Sequence, residues 1–520
     1  MLASWEVDES QAADQKDAPM LASWEFDEAR TANLNDQRLN KRLRIVLKQL
    51  GDHPTASIPA ACGGWAETAA AYRFFENDQV GFDSILNPHR DATRIRISAQ
   101  PLVLLPCDTT ELDLTRPEKQ VEDTGPLDGK SRRGLFLHLT HAFTPDGTPL
   151  GTTEAVYWAR DDEKPPLSSK TRAERAAEPI EEKESYRWLV SLRSAREEAR
   201  FHPGTRLVWL ADSEADIYEV IAEATAEPRP IDFIVRACQD RALVPGTEDE
   251  TSNSVDHLRQ EVLNTPVLYT QKIDIRGREP KVGCDDRKRR QPRQSRTAEV
   301  EVRATQVTLR APRRADRILP DVTVNAVLVT EVNPPEGDVP VEWLLLTSLP
   351  IDTSDEVRLI IEYYCIRWMI EIYFRVLKSG CRVEERRFKT ADNFLRSLAI
   401  YMIVSWRVLM VCRLGRSCPE ISCEAIFTPT EWRSVYQVVR REEPPKEPPT
   451  LQEMVRMVAQ LGGYINRKRQ GEPGPQTLWL GMQRMHDIAL CWNLFGPGSR
   501  EANQPSGVDG PGCREAEHPS

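Results

Sequence analysis

The sequence predicts an α/β protein built from several domains, and three observations carry that expectation. A chain of 520 residues exceeds what one hydrophobic core usually supports, which points to about two to four domains. From about residue 100, apolar runs of strand length alternate with polar turns, as in a sheet. On both sides of that stretch, apolar residues return at spacings of three and four, as in helices.

The chain opens on a near-repeat, MLASWEVDES at 1–10 and MLASWEFDEA at 20–29. Two such short copies cannot form a repeat fold, so Met20 is expected to begin the working protein and residues 1–19 to be dispensable. Residues 30–80 read as helices broken at Gly51 and at a loop from Ala60 to Gly64, ending in AAAYRFF. One of these helices carries Leu39, Leu43, Leu47 and Leu50 together with Arg38, Lys41, Arg42, Arg44 and Lys48. Strands follow at PLVLLPCDTTELDL and GLFLHLTHAF, then a turn at PDGTP. After a charged stretch at 160–186 come a helix, ESYRWLVSLRSAREEAR, and a strand, RLVWLADSEADIYEV. Between 232 and 348 the strands FIVRA, VTVNAVLVT and VEWLLLTS surround a basic run, DRKRRQPRQSR at 286–296. Helices are expected at 364–378 and 391–412, and EEPPKEPPT at 442–450 separates them from a last helical region ending near Phe495. The remaining residues are rich in Gly, Pro and charge and are expected to be disordered.

Several classes lose support. The apolar run at 398–412 is interrupted by Arg407 and is short for a bilayer, so it reads as a core helix and no membrane partner is expected. The N-terminus lacks the pattern of a signal peptide, which makes an intracellular location the default. Eleven cysteines with no CxxC pair argue against a disulfide scaffold and a zinc site, and nothing near Cys418 and Cys423 completes a ligand set. No phosphate-binding glycine loop, HExxH or GxSxG is present. His138 and His141 lie on an apolar strand and read as structural. A net charge of −11 does not exclude a nucleic acid, because the basic residues are clustered.

The most informative segment is IEYYCIRWMIEIYFRVLKSG. Tyr364, Arg367, Glu371 and Lys378 are spaced by three, four and seven. On a helix they fall within an arc of roughly 60°, with Arg375 on the same stripe. Ile366, Trp368, Met369, Ile370, Ile372, Tyr373, Val376 and Leu377 fill the rest of the circumference, so the helix reads as buried except along one charged seam. Asp108 follows the strand LVLLP and Asp212 follows LVWLA, so carboxylates at the ends of adjacent strands are expected to converge. Three carboxylates can hold two divalent ions about 3.5 to 4 Å apart for in-line chemistry on a phosphodiester. An oxygen-only set suits Mg²⁺ or Mn²⁺. A two-carboxylate glycosidase would leave the basic helix unexplained.

These residues resemble the DDE transposases of the insertion-sequence-four family, transposon-five type. Tyr364, Arg367, Glu371 and Lys378 match that family's YREK signature, and CDTTELDL, DSEAD at 212–216, EKESYRWL at 182–189, FIVRA and NPPEGDVPVEWLLLTS at 333–348 agree in order. The resemblance covers roughly residues 20–495. It implies an RNase H-like mixed-sheet catalytic core at 95–412 carrying Asp108, Asp212 and Glu371 as catalytic residues and metal ligands, with a β-rich insertion at about 240–348. It also implies a helical domain at 20–80 that binds the transposon end and a helical dimerisation region at 413–495, whereas the duplicated start at 1–19 and the tail at 496–520 have no counterpart in the family. Tyr364, Arg367, Arg375 and Lys378 would contact DNA phosphates, Trp343 would stack on a base flipped out during hairpin formation, and Arg236 would lie near the hairpin. The implied cofactors are two Mg²⁺ or Mn²⁺ ions. The implied partners are double-stranded DNA, both terminal inverted repeats and target, and a second copy of the chain. The implied location is the bacterial cytoplasm, on the nucleoid. Ser213 departs from the family, which commonly has arginine after the second aspartate. The alternatives are a metal-dependent nuclease or resolvase on the same core, and a catalytically silent DNA-binding inhibitor.

Overall fold

The computed structural model of the protein describes residues 24–128, 131–162, 171, 174, 178–228, 231–244, 256–275, 294–314, 316–467 and 470–496. The duplicated segment at 1–19, most of the basic run at 286–296 and the tail past Gly496 lie outside the described residues. By packing, the chain forms two compact units. One holds residues 25–51 and 56–413, and the other holds 52–55 and the chain from 414 onward.

The first unit begins with helices α1 (Trp24–Glu28), α2 (Gln37–Asp52), α3 (Ile58–Cys62), α4 (Trp65–Phe75) and α5 (Phe82–Ser98). The expected break at Gly51 is found within one residue, since α2 ends at Asp52. Leu43, Val46, Leu47 and Leu50 are completely buried along this helix. The expected loop at Ala60–Gly64 is largely α3, capped by Ser57 and stopped by Gly63 at a φ of 71°, a left-handed turn that suits glycine. Helix α5 is not visible in the periodicity, because polar residues and Pro88 interrupt its buried Phe82, Ile85, Leu86 and Ile97.

Strands β1 (Leu102–Asp113), β2 (Gly125–Pro126), β3 (Arg133–Phe143) and β4 (Pro149–Trp158) come next, followed by α6 (Tyr186–Ala199) and β5 (Arg206–Ala211). RLVWLADSEADIYEV is therefore not one strand. After Ala211 it forms a 3₁₀ turn at Ser213–Ala215 and then α7 (Tyr218–Thr225). The chain continues through β6 (Asp232–Arg236), α8 (Leu258–Asn264), β7 (Tyr269–Ile275), β8 (Arg296–Leu309), β9 (Val322–Glu331) and β10 (Glu342–Thr347). Helices α9 (Ser354–Ile366), α10 (Trp368–Arg375) and α11 (Ala391–Ser417) follow.

All ten strands form one sheet, ordered β2-β3-β1-β5-β6-β10-β9-β8-β7, with β4 also on β3. β5 runs parallel to β1 and to β6, whereas β3 is antiparallel to β1 and β4 to β3. The series β4-β3-β1-β5-β6, with α6 crossing from β4 to β5, is the arrangement of an RNase H-like core. The insertion is not a separate sheet. β10 pairs antiparallel with β6, so β10 to β7 continue the core sheet and cover the β6 edge.

Side chains alternate across this sheet. Val103, Leu105, Cys107 and Trp209 join Trp188 and Leu192 of α6 on one face. Leu104, Val208 and Leu210 join Ile360, Ile361 and Tyr364 of α9 on the other. Helix α11 is 27 residues long and is long and apolar enough to cross a membrane by length and composition, contrary to the expectation from the shorter run. It is mostly buried, and Trp406 and Met402 are tied to Pro149 and Tyr373.

The second unit contains α12 (Pro429–Arg440), α13 (Leu451–Leu461) and α14 (Pro475–Phe495). Thr428 with Glu431 and Thr450 with Glu453 form capping boxes at the starts of α12 and α13. A Cβ at Gly481 of α14 would fall 1.9 Å from the Val458 carbonyl of α13, so glycine lets these two backbones touch.

Candidate active site

The register of β1 and β5 sets the two aspartates side by side. Pro106 pairs with Leu210, and the same offset brings Asp108 opposite Asp212. Asp108 is not at the end of its strand as expected, since β1 continues to Asp113 along β3. It lies just past the part of β1 that pairs with β5, and Asp212 directly follows β5. By alternation both side chains share the face of Leu104, Val208 and Leu210, which α9 covers. That face is where α10 presents Glu371.

The helical path carrying Glu371 is not the uniform cylinder expected. Its helical assignment is interrupted at Arg367, between α9 and α10, and it widens into a π-turn at Val376–Gly380. It is also less buried than expected. Trp368 is 51% exposed and Arg375 is exposed, whereas Tyr364, Met369, Ile370 and Tyr373 are buried. The sheet lies on one side of this helix only, so a mostly apolar circumference does not make it a core helix.

Arg367 is the centre of the cluster. Its Nη2 lies 2.8 Å from Glu371 Oε1 and its Nη1 lies 3.3 Å from Asp108 Oδ2. Burial disfavours its charge, yet Tyr364, Glu371 and Asp108 together push its pKa upward. Asp108 also accepts the Thr109 N–H at 2.7 Å, and Asp212 accepts the Glu214 N–H at 2.8 Å, so both carboxylates are aimed by backbone donors. Burial and the neighbouring Asp212 charge push Asp108 up to about 7, against the pull of Arg367. One arginine among three carboxylates leaves the cluster short of positive charge.

Among the described residues, no three His, Cys, Asp or Glu side chains are grouped so as to hold an ion. The expected convergence on one point is therefore incomplete, because Arg367 stands between Asp108 and Glu371. The donor set still fits a hard divalent cation. It consists of carboxylate oxygens on one face, and the raised Asp108 is the group such a charge would relieve.

The remaining expected residues divide into two groups. Tyr364 is 5% exposed and packs edge-on against Trp343 with ring centres 5.8 Å apart. Its hydroxyl senses the charges of Arg367, Arg236 and Asp212, which joins Trp343 and Arg236 to the carboxylates. Arg236 donates to the Glu342 carbonyl at 3.3 Å and lines a cavity of about 300 Å³ with Ser213, Glu342 and Leu344. Lys378 and Arg375 are not drawn into this group. Lys378 donates to the Glu111 carbonyl at 2.7 Å and pairs with Glu384 at 3.0 Å, three residues along β1 from Asp108. His138 and His141 are buried and hydrogen-bonded to Thr109 and Thr152, so they are structural. Sequence reasoning missed Arg187, which bonds to Thr109 and Glu214, although it lies within EKESYRWL.

Three family models match this chain in order. A transposase DNA-binding model matches residues 21–80, a transposase DDE-domain model residues 231–406, and a Tn5 transposase dimerisation model residues 403–501. The chain is a Tn5-type DDE transposase. The match to the DDE domain of this transposase includes Glu371 but begins beyond both aspartates, so their assignment rests on the sheet register and shared face. Among solved structures, a piggyBac transposase synaptic complex with hairpin DNA aligns at 10% identity and a TM-score of 0.31. The alignment covers 84% of this chain and spans 65% of that transposase. The DDE domain implies dependence on a divalent metal ion.

Proposed function

We propose that this transposase moves its element by cut-and-paste DNA transposition, working as a dimer on the terminal inverted repeats and on target DNA. The observation that supports this best is that Asp108, Asp212 and Glu371 lie on one face of an RNase H-like sheet around a partly buried arginine. In this reading Asp108, Asp212 and Glu371 hold two Mg²⁺ or Mn²⁺ ions, which when bound supply activation of the attacking oxygen and stabilisation of the leaving one.

The chain's own residues would do the rest. Arg367 has its guanidinium among the carboxylates, so a small movement would bring it to the phosphate beside the scissile one while Glu371 stays in place. Tyr364 and Lys378 would extend the grip along the backbone, with Arg375 on the exposed side of α10. Trp343, partly exposed beside Tyr364, offers a flat ring for an unstacked base, and Arg236 lies next to it. Four in-line displacements would use the one site. Water nicks a strand at each end, the freed 3′-hydroxyl attacks the opposite strand to form a hairpin, water opens the hairpin, and the 3′-hydroxyl joins target DNA. Such a protein would work in the bacterial cytoplasm on the nucleoid. The segment at 21–80 would read the end through α2, where Lys41 and Lys48 are exposed.

The test incubates purified protein with DNA bearing the element's ends and Mg²⁺ or Mn²⁺, then resolves nicks, hairpins and joined products. All three products are expected. Nicks without hairpins or joining would favour a nuclease, and binding without cleavage a silent inhibitor.

A further inference from the structure

Arg187 uses every face of its guanidinium on a different segment. Its Nε donates to Thr109 Oγ1 at 2.8 Å, its Nη2 reaches Glu214 Oε2 at 2.5 Å, and its Nη1 donates to the Glu184 carbonyl at 2.9 Å. The side chain is only 14% exposed. Thr109 and Glu214 are the residues whose backbone N–H groups hold Asp108 and Asp212. Arg187 thus reaches each carboxylate through one intermediate, and touches neither.

The link to Thr109 is itself locked. Thr109 Oγ1 lies 2.9 Å from His138 Nδ1, and His138 is buried edge-on against Trp188, the neighbour of Arg187. The hydroxyl that accepts from Arg187 therefore also shares a hydrogen bond with His138 Nδ1. Thr109 is thereby held from both sides while its N–H points at Asp108. The β1 and β5 segments are neighbours in the sheet, but their hydrogen-bonded register stops at Pro106 and Leu210, short of both aspartates. Beyond that register, Arg187 spans the two segments.

We propose that Arg187 is a positioning residue, a clamp that sets the separation of the Asp108 and Asp212 carboxylates so that both can receive one divalent ion. This rests on reading those aspartates as metal ligands. A lysine could not replace it fully, since a single ammonium on a flexible stem cannot reproduce a planar fork with three partners.

The experiment measures Mn²⁺ binding to the full chain without DNA, by paramagnetic resonance of free Mn²⁺, and separately measures binding to end DNA in a chelator. Arg187→Met is expected to weaken Mn²⁺ binding by about tenfold, the lower end of what partners behind metal ligands contribute. Thr109→Val should act in the same direction, and the double variant should be no worse than the weaker single, because both break one link. Arg187→Lys should recover part of the loss, and DNA binding in chelator should stay within about twofold. Unchanged Mn²⁺ affinity in a folded Arg187→Met protein overturns the clamp, as does reduced DNA binding with intact Mn²⁺ affinity, which would make Arg187 a DNA contact. Should Arg187→Met fail to fold, Glu214→Ala decides, because it removes one arm at a side chain that is 61% exposed while leaving the backbone N–H that Asp212 accepts. A loss of about threefold is expected, and no loss overturns the proposal. A wild-type protein that binds no Mn²⁺, or Asp108→Ala and Asp212→Ala variants that bind it normally, would instead sink the underlying reading.

Discussion

Among the places in the first unit where a carboxylate meets an arginine from a distant segment, two behave in opposite ways. Glu28 of α1 is 2% exposed, lies 2.7 Å from Arg96, and accepts from His89, whose other nitrogen takes the Thr152 N–H. Arg96 also lies over the Trp406 ring. Burial works against the Glu28 charge, but Arg96 and His89 overcome it and hold the carboxyl below its usual range. Asp108 shares its arginine with Glu371 and faces Asp212, so its carboxyl rises to about 7. A buried ion pair is therefore not informative by itself. Matched charge marks the brace between α1 and α5, and unmatched charge marks the place where another cation is needed.

The largest effect expected from this contrast is on catalysis. Replacing Asp108, Asp212 or Glu371 by Ala should lower nicking of end DNA by about a thousandfold or more, since several kcal/mol of transition-state stabilisation are lost. Cleavage that survived any of these changes would remove that residue from the site. Glu28→Ala should leave activity per folded molecule intact but destabilise the first unit by about 3 to 5 kcal/mol, because Arg96 loses its buried partner. A urea midpoint unchanged from wild type would show the brace to be dispensable.

The sharpest difference is one of sign. An Asp108 carboxyl held near pH 7, against about 4 in the unfolded chain, penalises the folded state once ionised. The penalty is absent below about pH 4, grows as pH rises to 7, and is fully present above it. Asp108→Asn should therefore stabilise the metal-free protein at pH 8, by on the order of 3 kcal/mol, and have little effect at pH 4. For Glu28 the sense is reversed, because a lowered carboxyl stabilises above its unfolded pKa and loses that contribution as pH falls. Urea unfolding in chelator at both pH values separates the two, and destabilisation by Asp108→Asn at pH 8 would erase the distinction. Divalent-ion affinity should likewise fall as pH drops below about 7.

The smallest expected effect is on DNA binding. Arg367→Ala and Lys378→Ala should each weaken end binding and make its salt dependence shallower by about 1 in slope. An unchanged slope would leave Arg367 as a counter-ion alone, and Lys378 as a tie between β1 and Glu384.

Much of the molecule was legible in the chain itself, because local rules govern it. Leu43, Leu47 and Leu50 marked α2, the apolar runs marked β1, β3, β5 and β6, and the spacing of Tyr364, Arg367, Glu371 and Lys378 marked a helix with chemistry on it. The signature motifs carried the family. Other features depended on what packs where, which no local period records. DSEAD leaves the strand for a turn capped by Asp212, and Trp368 is exposed because the sheet covers the other side of its helix.

The sequence alone singled out the three acids, through the strand and helix patterns around them and the signature motifs. Their state was decided only by tertiary structure. The β1–β5 register puts Asp108 opposite Asp212, Arg367 places one positive charge between Asp108 and Glu371, and Arg187 joins the two aspartate segments. Charge balance in a buried cluster is a sum over residues more than 100 positions apart, so it exists only once the sheet has formed.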